Sequence, residues 1–525
     1  MIKTAHKYYN TLRYLKWKQF TYRILGMIYQ PKLELMNNAT SKKPIYRNIN
    51  IRLSESISSL SLYKHPKTFN FLNIEHTFDN GLDWNFDKYG KLWTYNLNYF
   101  EYLSQNDLSK KEGLLYIHDF INNEQSIIDG MEPYPISIRL LFWIKFLIKH
   151  DVNDDIIDRS LYRQLIKLSK KPEYHLMGNH LMENGVALLF AGIYFQENKY
   201  ISQGNQILSD QLNEQILSDG GHFELSPMYH QIMLYRLLDC YNLLKSNPEI
   251  NLSELKNKIK SKCSKMLGWT EQMTFSNGSL PNLNDSTLGI SPQAETIWDY
   301  AQQLGIRSDV VKLGASGYRK MHHGDIELMI DVGHIGPDYI PGHAHSDTFN
   351  FVLHHRGEPI IVDTGISTYE KNKLRTSQRS TSAHNTVMVD SLDQSEVWGG
   401  FRVARRAKVL NLKEVKHKIT ATHDGYLRIG VKHQRTFNCT ENRVRIHDEL
   451  SKLSQGMAFL HFHPSVSVRI DDNKIQGKFG TILFDNADDI NLTEYKWAEG
   501  FNKTRPAKVV SISFSNHLTT TITTS

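Results

Sequence analysis

Three short stretches hold the residue types best suited to chemistry. Residues 341–347 read PGHAHSD, with His343 and His345 one residue apart; Asp363 follows in PIIVDTG (359–365) and His384 in SAHNTVMV (382–389). If the first stretch is extended, side chains two apart share a face, so both imidazoles point the same way. Asp363 stands in an apolar run, where a carboxylate is costly to bury without a partner. Two imidazoles and one carboxylate form a common zinc shell with an open position, and imidazole ligands argue for zinc over calcium or magnesium. A lone HxH is more often a satisfied histidine pair. The HxH with Asp363 and His384 on successive strands is a more specific signal.

The second stretch is SDGGHFELSPMYH (218–230), a shaped loop running into a helix. Its two histidines, glutamate and tyrosine are expensive unless used or solvated. The Tyr229 phenol, beside His230, has the chemistry of a general acid/base; the competing role is packing against the next helical hairpin. The third is Gly178-Asn179-His180, at the start of a helical run. Taken alone, Asn179 reads first as a helix N-cap.

The elements that must position these groups change type along the chain. Its 525 residues suit two or three domains. From about 45 to 310, apolar residues recur at three- and four-residue spacing, as in ISIRLLFWIKFL (136–147). That pattern predicts antiparallel helical hairpins in series, curved into a toroid. Near residue 320 the period becomes two, as in DIELMID (325–331), and short strands follow without crossover helices, which predicts antiparallel, sandwich-like sheets. The expected class is α+β multidomain: a basic extension at 1–43, a helical domain at 44–315 and a β-domain at 316–525.

Composition removes several function classes. The net charge of +7 favours anionic partners, but no zinc-finger spacing, RNP-like aromatic motif or basic-region heptad supports nucleic acid. Three distant cysteines, Cys240, Cys263 and Cys439, argue against a disulfide framework or a cysteine metal site. No apolar run reaches the roughly 18 residues of a membrane span, and no secretory signal is visible. The expected location is the cytoplasm, with the periplasm or cell envelope as the alternative. Residues 1–43 hold nine Lys/Arg against Glu34, with Trp17, Phe20, Ile24, Met27 and Ile28 on one helical face. Such a helix can lie on an anionic membrane surface; packing on its own domain is the favoured reading. Residues 37–44 (NNATSKKP) read as a linker.

At these motifs the chain resembles the heparinase II/III family of polysaccharide lyases, which includes related alginate lyases. The resemblance rests on the GNH at Asn179, DGGHFELSPMYH at Tyr229, PGHAHSDTFNF at His343, VDTG at Asp363 and RSTSAHNTVMVD around His384. LWTYNLNYFEYL from Leu92 and EPYPISIRLLFWIK from Glu132 also fit. It spans roughly Phe69 to Asp424, and the joint, ordered occurrence is far more specific than any single motif. It implies an incomplete (α/α) toroid followed by an antiparallel β-sandwich. It also implies that Asn179 neutralises a uronate carboxylate, that Tyr229 takes and donates protons, and that His343 assists. His345, Asp363 and His384 match the zinc ligands of some members, and no organic cofactor is implied. Characterised members are typically secreted; relatives without a signal are often tied to capsule or exopolysaccharide synthesis.

The implied reaction is β-elimination on an acidic, uronate-containing polysaccharide. The proton at C5 is weakly acidic because the adjacent carboxylate resists further negative charge, so that group must be neutralised. Asn179 and His180 can donate hydrogen bonds, and Arg139, Arg402 or Arg405 can offer a fork to a carboxylate; His230, beside the tyrosine, is a further binding candidate. Tyr229 serves as base and acid when C5–H and O4 share a face of the ring; for the opposite C5 configuration His343 or His180 is the base. Two other classes stay open: a metal-dependent glycan hydrolase, and a non-catalytic polysaccharide-binding protein of a synthesis complex.

Overall fold

The computed structural model describes residues 2–28, 47–48, 50–59, 62–64 and 67–525. The expected linker at 37–44 lies outside the described residues. Helices α1 (Ile2–Leu12) and α2 (Trp17–Ile28) precede a long helical array. The array comprises α3 (Lys91–Tyr99), α4 (Lys110–Asn123), α5 (Pro133–Lys149), α6 (Asp155–Lys170), α7 (Gly178–Tyr194), α8 (Asn198–Gln215), α9 (Pro227–Ser246), α10 (Ser253–Met273) and α11 (Ala294–Gln303). Local chemistry sets several starts. Ser109 and Glu112 form a reciprocal capping box for α4, the Asp154 carboxylate accepts the first amides of α6, and Ser226 caps α9 with Pro227 in its first turn. Helix α7 is buried on nearly every side and packs against α5, α6, α8 and α9, so its first turn is rigidly placed.

Strands take over at Tyr318. An eight-stranded antiparallel sheet runs from Val409–Val415 through Lys418–His423, His433–Thr440, Arg443–Leu450, His517–Thr524, Gly480–Asp485 and Lys474–Gly477 to Val468–Asp471. It shares one core with two four-stranded sheets. One holds Asp489–Gly500, Lys503–Ser515, Gln455–His461 and Val387–Val389; the other holds Tyr318–His323, Ile326–Asp331, Phe351–His355 and Glu358–Ile361. Strand Arg443–Leu450 shows the logic: Val444, Ile446 and Leu450 point inward and are buried, while Arg443, Arg445 and Glu449 face water. Asp448 also points inward, where the Arg435 guanidinium (2.6 and 2.9 Å) and His433 (2.6 Å) satisfy it.

The two halves meet at an apolar seam. Trp269, Met273 and Phe275 of the helical side pack with Tyr318, Met329 and Val352 of the β side. Emptying such a site by Trp→Ala costs about 3–5 kcal/mol. The α1–α2 pair lies across both halves: Gln19 Nε2 donates to Tyr339 O (3.3 Å) and Leu176 O (3.5 Å), and Tyr8 packs edge-on against Trp398.

Two expectations need correction. His343 and His345 do not sit on a strand; residues 341–350 form a loop, and Asp363 lies just past strand Glu358–Ile361. A small sheet (Tyr63–Lys64, Thr68–Phe71, Ile74–Thr77) also interrupts the stretch read as helical. Its turn uses left-handed Leu72 and Asn73, which the helical periodicity of the flanking segments concealed.

Candidate active site

The helical wall is built on the start of α7. Met177 (φ 65°, ψ −149°) and Gly178 (φ 58°) bend the chain through conformations that side chains rarely adopt. A Cβ at Gly178 would collide with Glu224 Oε1. This bend aims Asn179 at that carboxylate: its backbone N–H donates to Oε1 (2.8 Å), and its amide nitrogen donates to Oε2 (2.9 Å). Asn179 is therefore not the N-cap. Glu224, from the loop before α9, supplies the anion that the helix start favours. Burial opposes ionisation of Glu224, but His343, His222 and the Asn179 hydrogen bonds hold it below the usual carboxylate range.

Tyr229 occupies the first turn of α9, where its N–H donates to the Ser226 cap (3.2 Å). The Ser226 hydroxyl in turn donates to Asp285 O (2.8 Å), tying this turn to the loop after α10. Burial raises the Tyr229 phenol above its ordinary range, against the lowering effect of the hydroxyl that Tyr369 donates to it (3.3 Å). The phenol thus stands neutral and holds a proton to give.

The β wall brings His343 onto this tyrosine. The two rings lie 3.9 Å apart, centroid to centroid, at 30°. His343 Nδ1 sits 2.9 Å from Asp285 Oδ2, and Nε2 sits 3.5 Å from Glu224 Oε2. Asp285 is fully buried and anchors three cationic or imidazole partners. Arg375 grips both of its oxygens (Nη2–Oδ2 2.6 Å), and His345 Nε2 approaches Oδ1 at 2.9 Å. Burial disfavours this charge, yet Arg375 and the two histidines hold Asp285 well below the usual range. A continuous chain therefore runs Asn179–Glu224–His343–Asp285–Arg375 across both halves, and the cation of Arg375 also lies 4.9 Å from the Tyr369 ring.

His180 belongs to the same wall. Its Nδ1 lies 3.1 Å from Glu173 Oε1, and its ring packs 4.4 Å from Tyr134. Burial would push His180 down, but Glu173 and the more distant Glu224 and Glu183 outweigh it and raise it. Two other expected binding residues, Arg139 and His230, are buried in the helical half. Arg139 is wholly buried and spends its donors on Gln164, Asn98 O and Gly130 O, so no polymer reaches it. His230 is buried against Trp269 and bonds Met266 O and Thr270, with burial pushing it down to about 3. Arg402 stacks on Trp398 (4.8 Å), and Arg405 engages His6 and Glu396. An amphipathic helical run conceals which arginine faces the core, which is why Arg139 read as a fork.

The sequence reading passed over Asp285, Arg375, Tyr369 and Glu173, and it quoted Glu224 without giving it a role. Glu224 had a signal, an acid inside a glycine-rich loop. Asp285 stands in an unremarkable PNLNDS, and only folding joins it to His343, 58 positions away.

His345, Asp363 and His384 do assemble, and all three are buried. His384 Nδ1 lies 2.8 Å from Asp363 Oδ2, and the two histidine rings are 5.2 Å apart. Among the described residues, His345 Nδ1, His384 Nε2 and the nearby Asp347 Oδ2 are buried without a hydrogen-bond partner. The two orphaned imidazole nitrogens fit a zinc ion in donor type, whereas both Asp363 oxygens are engaged, Oδ2 by Asn350 (2.6 Å) and His384 and Oδ1 by the Gly365 N–H (2.9 Å). No three His, Cys, Asp or Glu side chains among the described residues converge as a metal shell.

Residues 138–304 match the heparinase II/III N-terminal domain, and residues 305–525 match the heparinase II/III-like C-terminal domain. This chain belongs to the heparinase II/III family. Among curated relatives, a heparin-sulfate lyase of Pedobacter heparinus is 25% identical over 342 residues, 58% of this chain and 49% of that protein. A heparin-sulfate lyase of Bacteroides stercoris is 25% identical over 253 residues, 42% of this chain and 37% of that protein. The chain thus spans about half the length, or less, of these curated relatives. A crystal structure of heparinase III superposes with a TM-score of 0.66 at 16% identity, covering 93% of this chain and 89% of that one. A Streptomyces coelicolor chondroitin AC lyase gives 0.54 at 7% identity, covering 82% and 75%. The shared fold is an incomplete (α/α) toroid followed by an antiparallel β-sandwich.

Proposed function

We propose that this chain cleaves an acidic, uronate-containing polysaccharide by β-elimination, with Asn179, Tyr229 and His343 at the reacting centre. The observation that carries the reading is the stacked Tyr229–His343 pair, contributed by the two halves, with Asn179 reaching the same Glu224 that faces His343. Family membership and the heparin-sulfate lyase names of the curated relatives support the reaction class.

The base accepts the C5 proton, the C5–H electron pair becomes the C4=C5 double bond, the C4–O4 bond breaks, and an acid gives O4 its proton. When C5–H and O4 share a face, Tyr229 performs both transfers only if it enters as the phenolate, taking the C5 proton and passing it to O4; the neutral state that burial favours suits the acid role alone. For the opposite configuration His343 takes the C5 proton and the neutral Tyr229 phenol protonates O4. The raised His180 draws charge from the uronate carboxylate, and the Asn179 amide, held by Glu224 in the free protein, joins it when substrate takes over one of those hydrogen bonds, which makes the C5 proton removable. The Asp285–Arg375 pair fixes the His343 ring, a positioning role of the kind carboxylates play behind catalytic histidines.

We also propose that zinc is held by His345, Asp363 and His384, supported by the unpartnered ring nitrogens. When bound, it would brace the wall behind Asp285 rather than supply a nucleophile, since elimination adds no water. Elemental analysis of purified protein, with His384→Ala as comparison, tests this directly.

The polymer class is tested by screening heparan-type, alginate-type and bacterial capsular or exopolysaccharide uronates for ultraviolet-absorbing unsaturated ends. Cleavage without such ends points to a metal-dependent hydrolase; binding without cleavage points to a non-catalytic polysaccharide-binding protein.

A further inference from the structure

The inner and outer faces of α2 are reversed from those of an ordinary surface helix. Its polar and aromatic side does the packing: Gln19 is 3% exposed and bonds both halves, Tyr22 packs on Tyr174 (4.6 Å), and Lys18 covers the Tyr174 ring (4.5 Å). Lys16 is paired with Glu214 and lies over Tyr339. Its apolar stripe faces outward instead, with Trp17 83%, Ile24 58% and Met27 76% exposed. Their spacing of seven and three residues puts them on one side of the helix. The inner contacts pin the helix, so this stripe has no route to bury itself by rotation.

This patch stands out against the rest of the surface. Seven of the twenty-two large exposed apolar side chains among the described residues fall between Tyr8 and Met27. The same stretch is strongly cationic: residues 1–28 contain six Lys/Arg and no Asp or Glu. Lys7, Arg13, Lys18 and Arg23 are all exposed around the stripe. A carbohydrate would use the cations and a tryptophan but has nothing for Ile24 and Met27. A second copy of the chain would set the exposed cations Lys7, Arg13, Lys18 and Arg23 against their own duplicates. An anionic lipid surface satisfies both halves of the pattern, taking the apolar side chains between its headgroups and pairing phosphates with the basic flanks.

We propose that α2, with the exposed basic residues around it, is a peripheral docking surface for anionic lipid bilayers. Docking is reversible, since one short stripe with a few cations lacks the apolar area for permanent insertion. It is independent of the elimination chemistry, because none of these outward side chains lines the Tyr229–His343 site. No helix among the described residues is long and apolar enough to cross a membrane, so this surface contact is of a different kind from a span.

The test is flotation of the whole protein with phosphatidylglycerol vesicles and with phosphatidylcholine vesicles, at low and high salt. Binding to the anionic vesicles alone, weakened by salt, is expected. Lys18→Glu with Arg23→Glu should weaken it by about fivefold per cation removed. Trp17→Ser with Ile24→Ser and Met27→Ser should weaken it by at least about tenfold. Unchanged melting temperatures and unchanged cleavage of soluble polymer establish that both variants are folded. No flotation with either lipid, equal flotation of the wild type and the apolar triple variant, or a wild-type dimer dispersed by that variant would each overturn the proposal. The last two outcomes would reassign the patch to the cations alone or to a second copy.

Discussion

The Tyr229 phenol and the His343 imidazole stack at 3.9 Å although one begins a helix of the toroid and the other stands in a loop of the β-domain. Neither half holds both rings. The seam at Trp269 and Tyr318 and the Ser226–Asp285 bond set the distance between them. Changes far from either ring should therefore register in activity whenever they alter that seam.

Arg375→Ala tests the most committed charge in the site. It would leave the buried Asp285 carboxylate facing two histidines without its bidentate partner. Breaking a buried pair in this way costs about 3–5 kcal/mol. Chemical denaturation should show a midpoint lowered accordingly, and Arg375→Lys should recover only part of the loss because an ammonium cannot grip both oxygens.

Gly178→Ala addresses the bend before Asn179. The added Cβ meets Glu224 Oε1, and the left-handed φ of 58° adds backbone strain. A stability loss of about 1–3 kcal/mol is expected. Activity should fall further than stability explains, because the substitution pushes on the carboxylate that orients Asn179. Equal stability and activity would show that the bend relaxes without consequence.

The hydroxyl that Tyr369 offers Tyr229 is a single neutral hydrogen bond at 3.3 Å. Such a bond contributes about 1 kcal/mol, so Tyr369→Phe should slow cleavage by roughly fivefold while leaving substrate affinity nearly unchanged. Steady-state kinetics on a cleavable polymer checks the split.

Burial should make the fold acid-sensitive through histidines that stay neutral. His230 is pushed down to about 3 by burial and by His222, while an unfolded histidine titrates near 6.5. Between these values the unfolded chain binds a proton that the folded chain refuses, so stability rises with pH. His230 therefore contributes fully above about pH 6.5, and its contribution declines as pH falls toward 3. The melting temperature should drop progressively below pH 6.5, and His230→Gln should flatten that slope. An unchanged slope would remove His230 from the account.

Much of this architecture was legible because each half has its own period. Ile136–Leu147 repeats as a helix must, Arg443–Leu450 alternates as a half-buried strand must, and the change between them falls close to Tyr318. Tyr229 was legible because a serine cap and a proline announce the helix on which it stands. The roles of Asp285 and Arg375 were not, since nothing local to PNLNDS or KLRTSQ distinguishes a buried ion pair from two solvated charges. His343 and His345 were assigned to one strand face and lie in a loop. Their likeness comes from sharing the two oxygens of Asp285, not from a pleat. Arg139 misled in the opposite sense, being a helical arginine turned fully inward to satisfy backbone carbonyls.

The central claim is elimination at Tyr229, and the most direct measurement is the product spectrum of a cleaved uronate polymer for wild type and Tyr229→Phe. The account predicts that wild type generates chain ends carrying the C4=C5 double bond, seen by ultraviolet absorbance and by the vinylic proton in NMR. It also predicts that Tyr229→Phe, which keeps the stacked ring and loses only the hydroxyl, reduces their formation by at least about a hundredfold, as removal of a general acid/base does. Saturated chain ends from the wild type, or undiminished double-bond formation by Tyr229→Phe, would contradict it.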